Sequence, residues 1–217
     1  MSAYDELMAF QRQTEALGQI AGRLGWDQET MMPEGAAGQR AEEFAAMESV
    51  LHARKTHPQI GEWLAKIDAS TLDPVSAANV RHISRSFERS QRVPAKLAEA
   101  IAKLSSSAQR IWADAREKED VAAFLPALEE MIALKRDEAS ALAQGGDAYD
   151  ALLDDYEPDT SGEDVAATFA AMRPRLVALR DKVMGAEQPP ELKFEFDEQK
   201  QMRLARSLAK IFGYDMQ

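Results

Sequence analysis

Apolar residues recur along this chain at helical spacing, three or four apart, over almost its whole length. Leu7, Phe10, Thr14, Leu17, Ala21 and Leu24 are separated by 3, 4, 3, 4 and 3 residues. That stripe predicts a first helix with one buried face, while Gln11, Arg12, Gln13, Glu15 and Gln19 face away. Gly25 and the turn-like segment MMPEG are read as its end. A second helix is expected from near Pro33, carrying Ala37, Phe44, Met47 and Leu51 and stopping before Pro58. Ile60, Leu64 and Ile67 mark a shorter one. Asp73-Pro74 reads as an N-cap followed by proline in the first turn, ahead of Val75, Val80, Ile83 and Phe87. Pro94 opens the next helix, with Leu97, Ile101, Leu104, Ala108 and Ile111. Asp120 caps another, with Phe124, Leu128, Met131, Lys135 and Leu142, with Pro126 inside it as a candidate kink, closed by Gly145-Gly146.

A short helical stretch is expected from Asp147 to about Tyr156. Ser161 and Asp164 form a capping box for a long stripe of Val165, Phe169, Met172, Leu176, Leu179 and Val183, with Pro174 inside it. Leu192, Phe194 and Phe196 alternate, which suits a short strand or an extended link. Asp197 caps a last helix with Met202, Leu204, Leu208 and Ile211, ended by Gly213. The expectation is an all-α chain: a multi-helix array of about eight or nine helices in one helical region over residues 1–217, with a break near 185–196. No fixed repeat argues for a solenoid.

Composition narrows the function classes. In 217 residues, 26 Lys and Arg stand against 37 Asp and Glu, a net charge of −11. Scattered cations in an acidic chain argue against nucleic acid as a partner. No apolar run approaches the ~18 residues of a membrane span, and MSAYDELMAF has no secretory signal pattern, so the expected location is cytoplasmic. With no Cys, thiol nucleophiles and Cys-ligated metals are excluded.

Candidate chemistry is sparse. His52 and His57 are five apart, not the four that put two ligands on one helical face, and Ala53 stands where the zinc-peptidase pattern has Glu. His82 is alone. All three are read as structural. Asp154, Asp155, Glu157 and Asp159 crowd one segment but lack the spacing of a calcium loop, and are read as a solvated helix end. GAAG follows no strand, so it is no nucleotide loop. Trp26, Met31, Met32 and Pro33 stand out beside Asp27. They either line a site or plug a helical hairpin.

The stretch LGWDQETMMPEGAAGQRAEE (Leu24 to Glu43) resembles the N-terminal signature of the carboxypeptidase Taq family of metallocarboxypeptidases. The resemblance continues, in order, through VLHARKTHPQIGEWL, NVRHISRSFERSQRVPAKLAEA, FLPALEEMIALKRDEA, YDALLDDYEP and LARSLAKIFGYDM. It implies the N-terminal part of an elongated helical metallopeptidase with a deep groove, usually a homodimer, which releases amino acids from peptide C-termini. It implies a divalent metal, zinc or cobalt, held by His-Glu-x-x-His and a later Glu.

Two departures stand out. Asp159 occupies the place where the family pattern usually has Gly after YEP. The chain also stops after FGYDM, before the His-Pro-Phe, Asp-x-Arg-x-Thr and His-Glu-x-x-His segments. No catalytic residue, metal ligand or cofactor is therefore assigned to this chain, which is expected to be inactive alone. Trp26, Asp27, Met31, Met32, Tyr149, Asp150 and Tyr156 are carried over as groove-lining candidates. The alternative expectation is a stand-alone helical binding or dimerisation module derived from such an enzyme.

Overall fold

The first stripe runs further than its glycines suggest. In the computed structural model, which describes residues 2–187, 189–190 and 197–216, α1 spans Ala3–Thr30. A capping box starts it: the Asp5 N–H donates to Ser2 Oγ at 3.1 Å, and Ser2 N–H donates to Asp5 Oδ2 at 3.0 Å. The helix passes Gly25 without interruption. Pro33 then precedes a 3-10 turn, Glu34–Ala36, and α2 follows as Ala37–Lys55. The chain continues as α3 (Pro58–Lys66), α4 (Pro74–Arg92), α5 (Ala95–Glu117), α6 (Val121–Ala143), α7 (Ala148–Leu153), α8 (Gly162–Met184) and α9 (Glu198–Ile211). No strand occurs among the described residues. The alternation at Leu192, Phe194 and Phe196 lies outside them.

Local chemistry accounts for most of the boundaries. Asp73 accepts from the Val75 and Ser76 N–H groups, and Pro74 occupies the first turn of α4. Asp120, Asp147 and Asp197 cap α6, α7 and α9 in the same way. Ser161 and Asp164 bond reciprocally at the start of α8. Gln144 and Gly145 adopt positive φ, 48° and 94°, where α6 ends. Pro126 and Pro174 lie inside continuous helices.

Helices up to Val165 form one compact unit, and a second begins at Ala166. In the first, α2 packs along α5, α5 along α6 and α1 along α2 and α3, while α7 rests on α6. The core of Leu7, Ile60 and Trp63 is 0%, 1% and 7% exposed, with Phe10, Leu64, Ile67, Ile83 and Phe87 packed round it. Polar groups entering this core are satisfied. Trp63 Nε1 donates to Glu6 Oε2 at 2.8 Å. Arg54 lies 4.0 Å from the centre of the Phe10 ring and donates to Thr14 Oγ1 and the Phe10 carbonyl, both at 2.9 Å. Among the described residues no buried side-chain polar atom lacks a partner.

The second unit differs. Phe169, Met172, Leu176, Leu179 and Val183 of α8 are all exposed, as are Leu204, Leu208 and Ile211 of α9.

Candidate functional site

Arg85, Arg89 and Arg92 fall at i, i+4 and i+7, so they share one face of α4. Two of them grip the turn after α7. Arg85 reaches Asp154 Oδ1 at 2.5 Å and donates to the Asp154 carbonyl at 2.9 Å. Arg89 takes both Asp155 carboxylate oxygens at 2.5 Å and Glu138 Oε1 of α6 at 3.1 Å. Glu138 is buried and accepts from Lys135 Nζ at 2.7 Å. The acidic run is thus a helix end whose last carboxylates, Glu157 and Asp159, are solvated and whose first two are not left to water alone. Its first two carboxylates are ion-paired to residues 66–69 positions earlier.

The electrostatics follow from these contacts. The Asp159 N–H donates to Asp154 Oδ1 at 3.1 Å. That hydrogen bond is the chief reason the Asp154 carboxyl sits below its ordinary value. Partial burial opposes it, and the Arg85 guanidinium adds to it. For Arg89, burial works against the charge. The Asp155 and Glu138 hydrogen bonds together outweigh it and raise the guanidinium pKa.

Asp154 supplies a pH test. Its folded pKa is lowered, so its stabilisation is complete above the unfolded value of about 3.9 and is lost as pH falls through the folded one. In urea unfolding, wild type should exceed Asp154→Asn by a constant margin above about pH 5. The margin should shrink toward zero in acid; a margin that grows would contradict the pairing.

Asp159 adopts φ 63°, the left-handed conformation that a glycine would take at no steric cost. Its pair with Arg85 is long, 3.7 Å, and its side chain is 92% exposed. Asp159→Gly should therefore leave stability within about 0.5 kcal/mol of wild type. Asp159→Val should lower it by about 1–2 kcal/mol. Chemical denaturation checks both, and equal effects would remove the backbone argument.

A cleft of about 550 Å³ lies on this network, lined by Arg85, Arg89, Arg92, Asp147, Asp150 and Asp154 among others. Asp150 accepts from the Gly162 N–H at 2.7 Å. A Cβ at Gly162 would lie 3.1 Å from Asp150 Oδ1, so glycine allows this close approach. The carboxylates here are occupied as caps and ion-pair partners. They clamp a turn, and Asp164, which accepts from Ser161 Oγ at 2.6 Å, is held in the capping box of α8.

The other candidates cluster elsewhere. Trp26 and Asp27 lie in the last turns of α1, not in a connecting turn. The helix continues there because its end is held from outside. Arg40, buried in α2, donates to the Leu24 carbonyl and Asp27 Oδ2, both at 2.5 Å, and to Glu43 Oε2 at 2.9 Å. Asp27 raises the Arg40 guanidinium pKa against the effect of burial, with help from Glu43. Gln28 accepts from Ser106 Oγ at 2.6 Å and donates to Gln109 Oε1 at 3.0 Å, tying this end to α5. Trp26 and Met31 point away from that polar base, 63% and 69% exposed, while Met32 is half-buried. Tyr149 and Tyr156 are exposed near α7. Trp26, Asp27, Met31 and Met32 do not line the cleft that Asp150 lines. Arg40 and Arg89 were not singled out by sequence reasoning. Only the Arg40–Glu43 spacing of three was visible there; their other partners lie on other elements, α1, α6 and the turn after α7.

Two of the three histidines hold the fold. His52 Nε2 bonds the Val93 carbonyl at 2.7 Å, and His57 Nδ1 accepts from the Gln59 N–H at 3.3 Å to cap α3. Among the described residues no group of three or more His, Asp or Glu is placed to hold a metal ion.

A family model described as carboxypeptidase Taq (M32) metallopeptidase matches residues 6–217. This chain belongs to that family. The thermostable carboxypeptidase 1 of Thermus thermophilus, one family relative, is 37% identical over 232 residues, covering 100% of this chain and 46% of its own length. The structure of Pyrococcus furiosus carboxypeptidase superposes with a TM-score of 0.79 at 25% identity, covering 100% of this chain and 44% of that one. Trypanosoma cruzi metallocarboxypeptidase 1 gives 0.74 at 30% identity, covering 98% and 44%. The chain thus spans about half the length of the relatives it matches. The helical architecture expected from the sequence superposes on the matched part of these family structures.

Proposed function

We propose that this chain forms the N-terminal helical portion of a metal-dependent carboxypeptidase that releases C-terminal amino acids from peptides. One observation carries this reading: the family model runs along residues 6–217, yet the chain amounts to 46% of its Thermus relative. The uncovered apolar faces of α8 and α9 support it, because apolar faces of that size normally have polypeptide against them. In this reading the chain walls and covers the groove, with Trp26, Asp27, Met31, Met32, Tyr149, Asp150 and Tyr156 as its lining. The divalent metal, zinc or cobalt, is held by other residues of the enzyme. The enzyme is cytoplasmic and homodimeric. The pure 217-residue chain should bind no stoichiometric zinc and release nothing from peptides with free or blocked C-termini. Tight zinc together with release of the terminal residue would overturn the proposal.

The exposed α8 face also suits a second reading, a stand-alone helical module whose apolar surface serves a partner. The coding sequence after the Gln217 codon separates the two. A stop codon favours the module, and an open frame encoding His-Glu-x-x-His favours the peptidase portion.

A further inference from the structure

Helices α2, α4, α5 and α6 meet round a cavity of about 310 Å³, at the lower end of the ~300–1,000 Å³ usual for small-molecule sites. Helix α2 supplies its polar wall. Glu48, His52 and Lys55 stand at i, i+4 and i+7, so they share one face of that helix and all line the cavity. The apolar lining is short: Val93 at the end of α4, then Ala98, Ile101 and Ala102 of α5. Arg89, Ser90 and Glu138 complete it.

The charges are balanced in number but not in engagement. Glu48 and Glu138 stand against Lys55 and Arg89. Arg89 and Glu138 bond each other at 3.1 Å and have further partners in Asp155 and Lys135. Glu48 and Lys55 are both half-buried, and neither has an ion-pair partner among the described residues. Seven residues apart on one helix, their Cα atoms are separated by about 10 Å along its axis. A ligand that answers both must carry an ammonium and a carboxylate, held well apart. A free α-amino acid has its two charges on one carbon and is too short. An extended dipeptide spans about 7 Å, and the two side chains reaching inward cover the rest.

The middle residue of this face selects the peptide bond. The Val93 carbonyl can only accept, so the 2.7 Å bond to His52 puts the hydrogen on Nε2. In that tautomer Nδ1 is an acceptor, and it stands between the two charged side chains, where a dipeptide has its one peptide N–H. The modest volume, with Ala98 and Ala102 in the lining, suits small side chains. We propose that this cavity binds a dipeptide of small residues, with its ammonium on Glu48, its peptide N–H on His52 Nδ1 and its carboxylate on Lys55. The site needs no metal and is independent of the peptidase reading.

The test is a proton–nitrogen NMR titration of the full 217-residue chain with L-alanyl-L-alanine, with far-UV circular dichroism to confirm that each variant folds. Wild type should bind with a dissociation constant of about 0.1–1 mM, and the amides of Ala98, Ile101 and Ala102 should shift. Glu48→Gln and Lys55→Gln should each weaken binding about tenfold. Glu130→Gln, at an exposed position of α6 outside the cavity, should leave it unchanged. N-acetyl-alanylalanine, which lacks the ammonium, should bind wild type and Glu48→Gln equally weakly. Alanylalanine amide, which lacks the carboxylate, should likewise not distinguish wild type from Lys55→Gln. No binding of the dipeptide at about 10 mM would overturn the site. Capped peptides that bind wild type as tightly as the dipeptide would overturn recognition of its two charges. Shifts confined to helices other than these four would overturn the location.

Discussion

Leu7→Ala should lower the unfolding free energy by about 3–5 kcal/mol, the largest effect expected of any single truncation in this chain. Leu7 is 0% exposed and meets Ile60 and Trp63, which arrive from α3. Removing its side chain loses transfer free energy and leaves a cavity that the packed helices around it close only in part. The gain in helix propensity from Leu to Ala is too small to offset this. Urea unfolding should show a lower midpoint at unchanged slope. For a unit of this size the melting temperature should fall by roughly 6–20 °C. Val75→Ala, at a position 70% exposed, is the control and should stay within about 0.5 kcal/mol. An equally small effect at Leu7 would show that the α1–α3 contact does not carry the fold.

Arg89→Ala should cost about 2–3 kcal/mol. The residue joins three elements: α4, on which it sits, Glu138 of α6, and the turn at Asp155. Truncation leaves the buried Glu138 carboxylate with Lys135 alone. The full penalty for orphaning a buried charge is reduced here, because the Arg89 side chain is 34% exposed and water screens part of the interaction. Arg89 also borders three clefts, of about 550, 900 and 310 Å³, so its loss should loosen α4, α6 and the 154–159 turn together. Hydrogen exchange should show those three segments gaining exchange in concert. Arg89→Met with Glu138→Leu should recover part of the loss, since it removes the uncompensated charge as well as the pair. A cost below about 0.5 kcal/mol for the single variant would mean that the network is fully screened.

The helices were legible because their signals are local. Stripes at spacing three and four, Asp or Ser before a first turn, and Pro74 after Asp73 act within a few residues of themselves. The end of α1 was not legible, because it depends on other helices. Gly25 marks a weak point, yet Trp26 to Thr30 remain helical where Arg40 holds the Leu24 carbonyl and Ser106 holds Gln28. The ion pairs of Asp154 and Asp155 were not legible for the same reason. The spacing of the acidic run excludes calcium, but nothing within it announces two arginines on α4. Asp159 is the opposite case. It stands where the family pattern usually has glycine, and its backbone adopts the positive φ that glycine takes freely. The groove candidates were chosen as one set, and the fold distributes them between the end of α1 and the neighbourhood of α7. Sequence neighbours can be placed by periodicity, but the distance between two such groups is set by packing.

The length of α1 has an optical consequence. Twenty-eight helical residues make a rod of about 42 Å. It starts beside the buried Trp63 indole and carries Trp26 far out toward solvent, 7% and 63% exposed respectively. Trp112, 44% exposed beneath Arg116, is the third fluorophore. The native emission should therefore divide into a blue-shifted component protected from acrylamide and a red-shifted one open to it. Trp26→Phe should delete most of the accessible component and leave the melting curve unmoved. A molecule arriving at the tip of the rod would then change colour and quenching there, while the Trp63 signal continued to report the core.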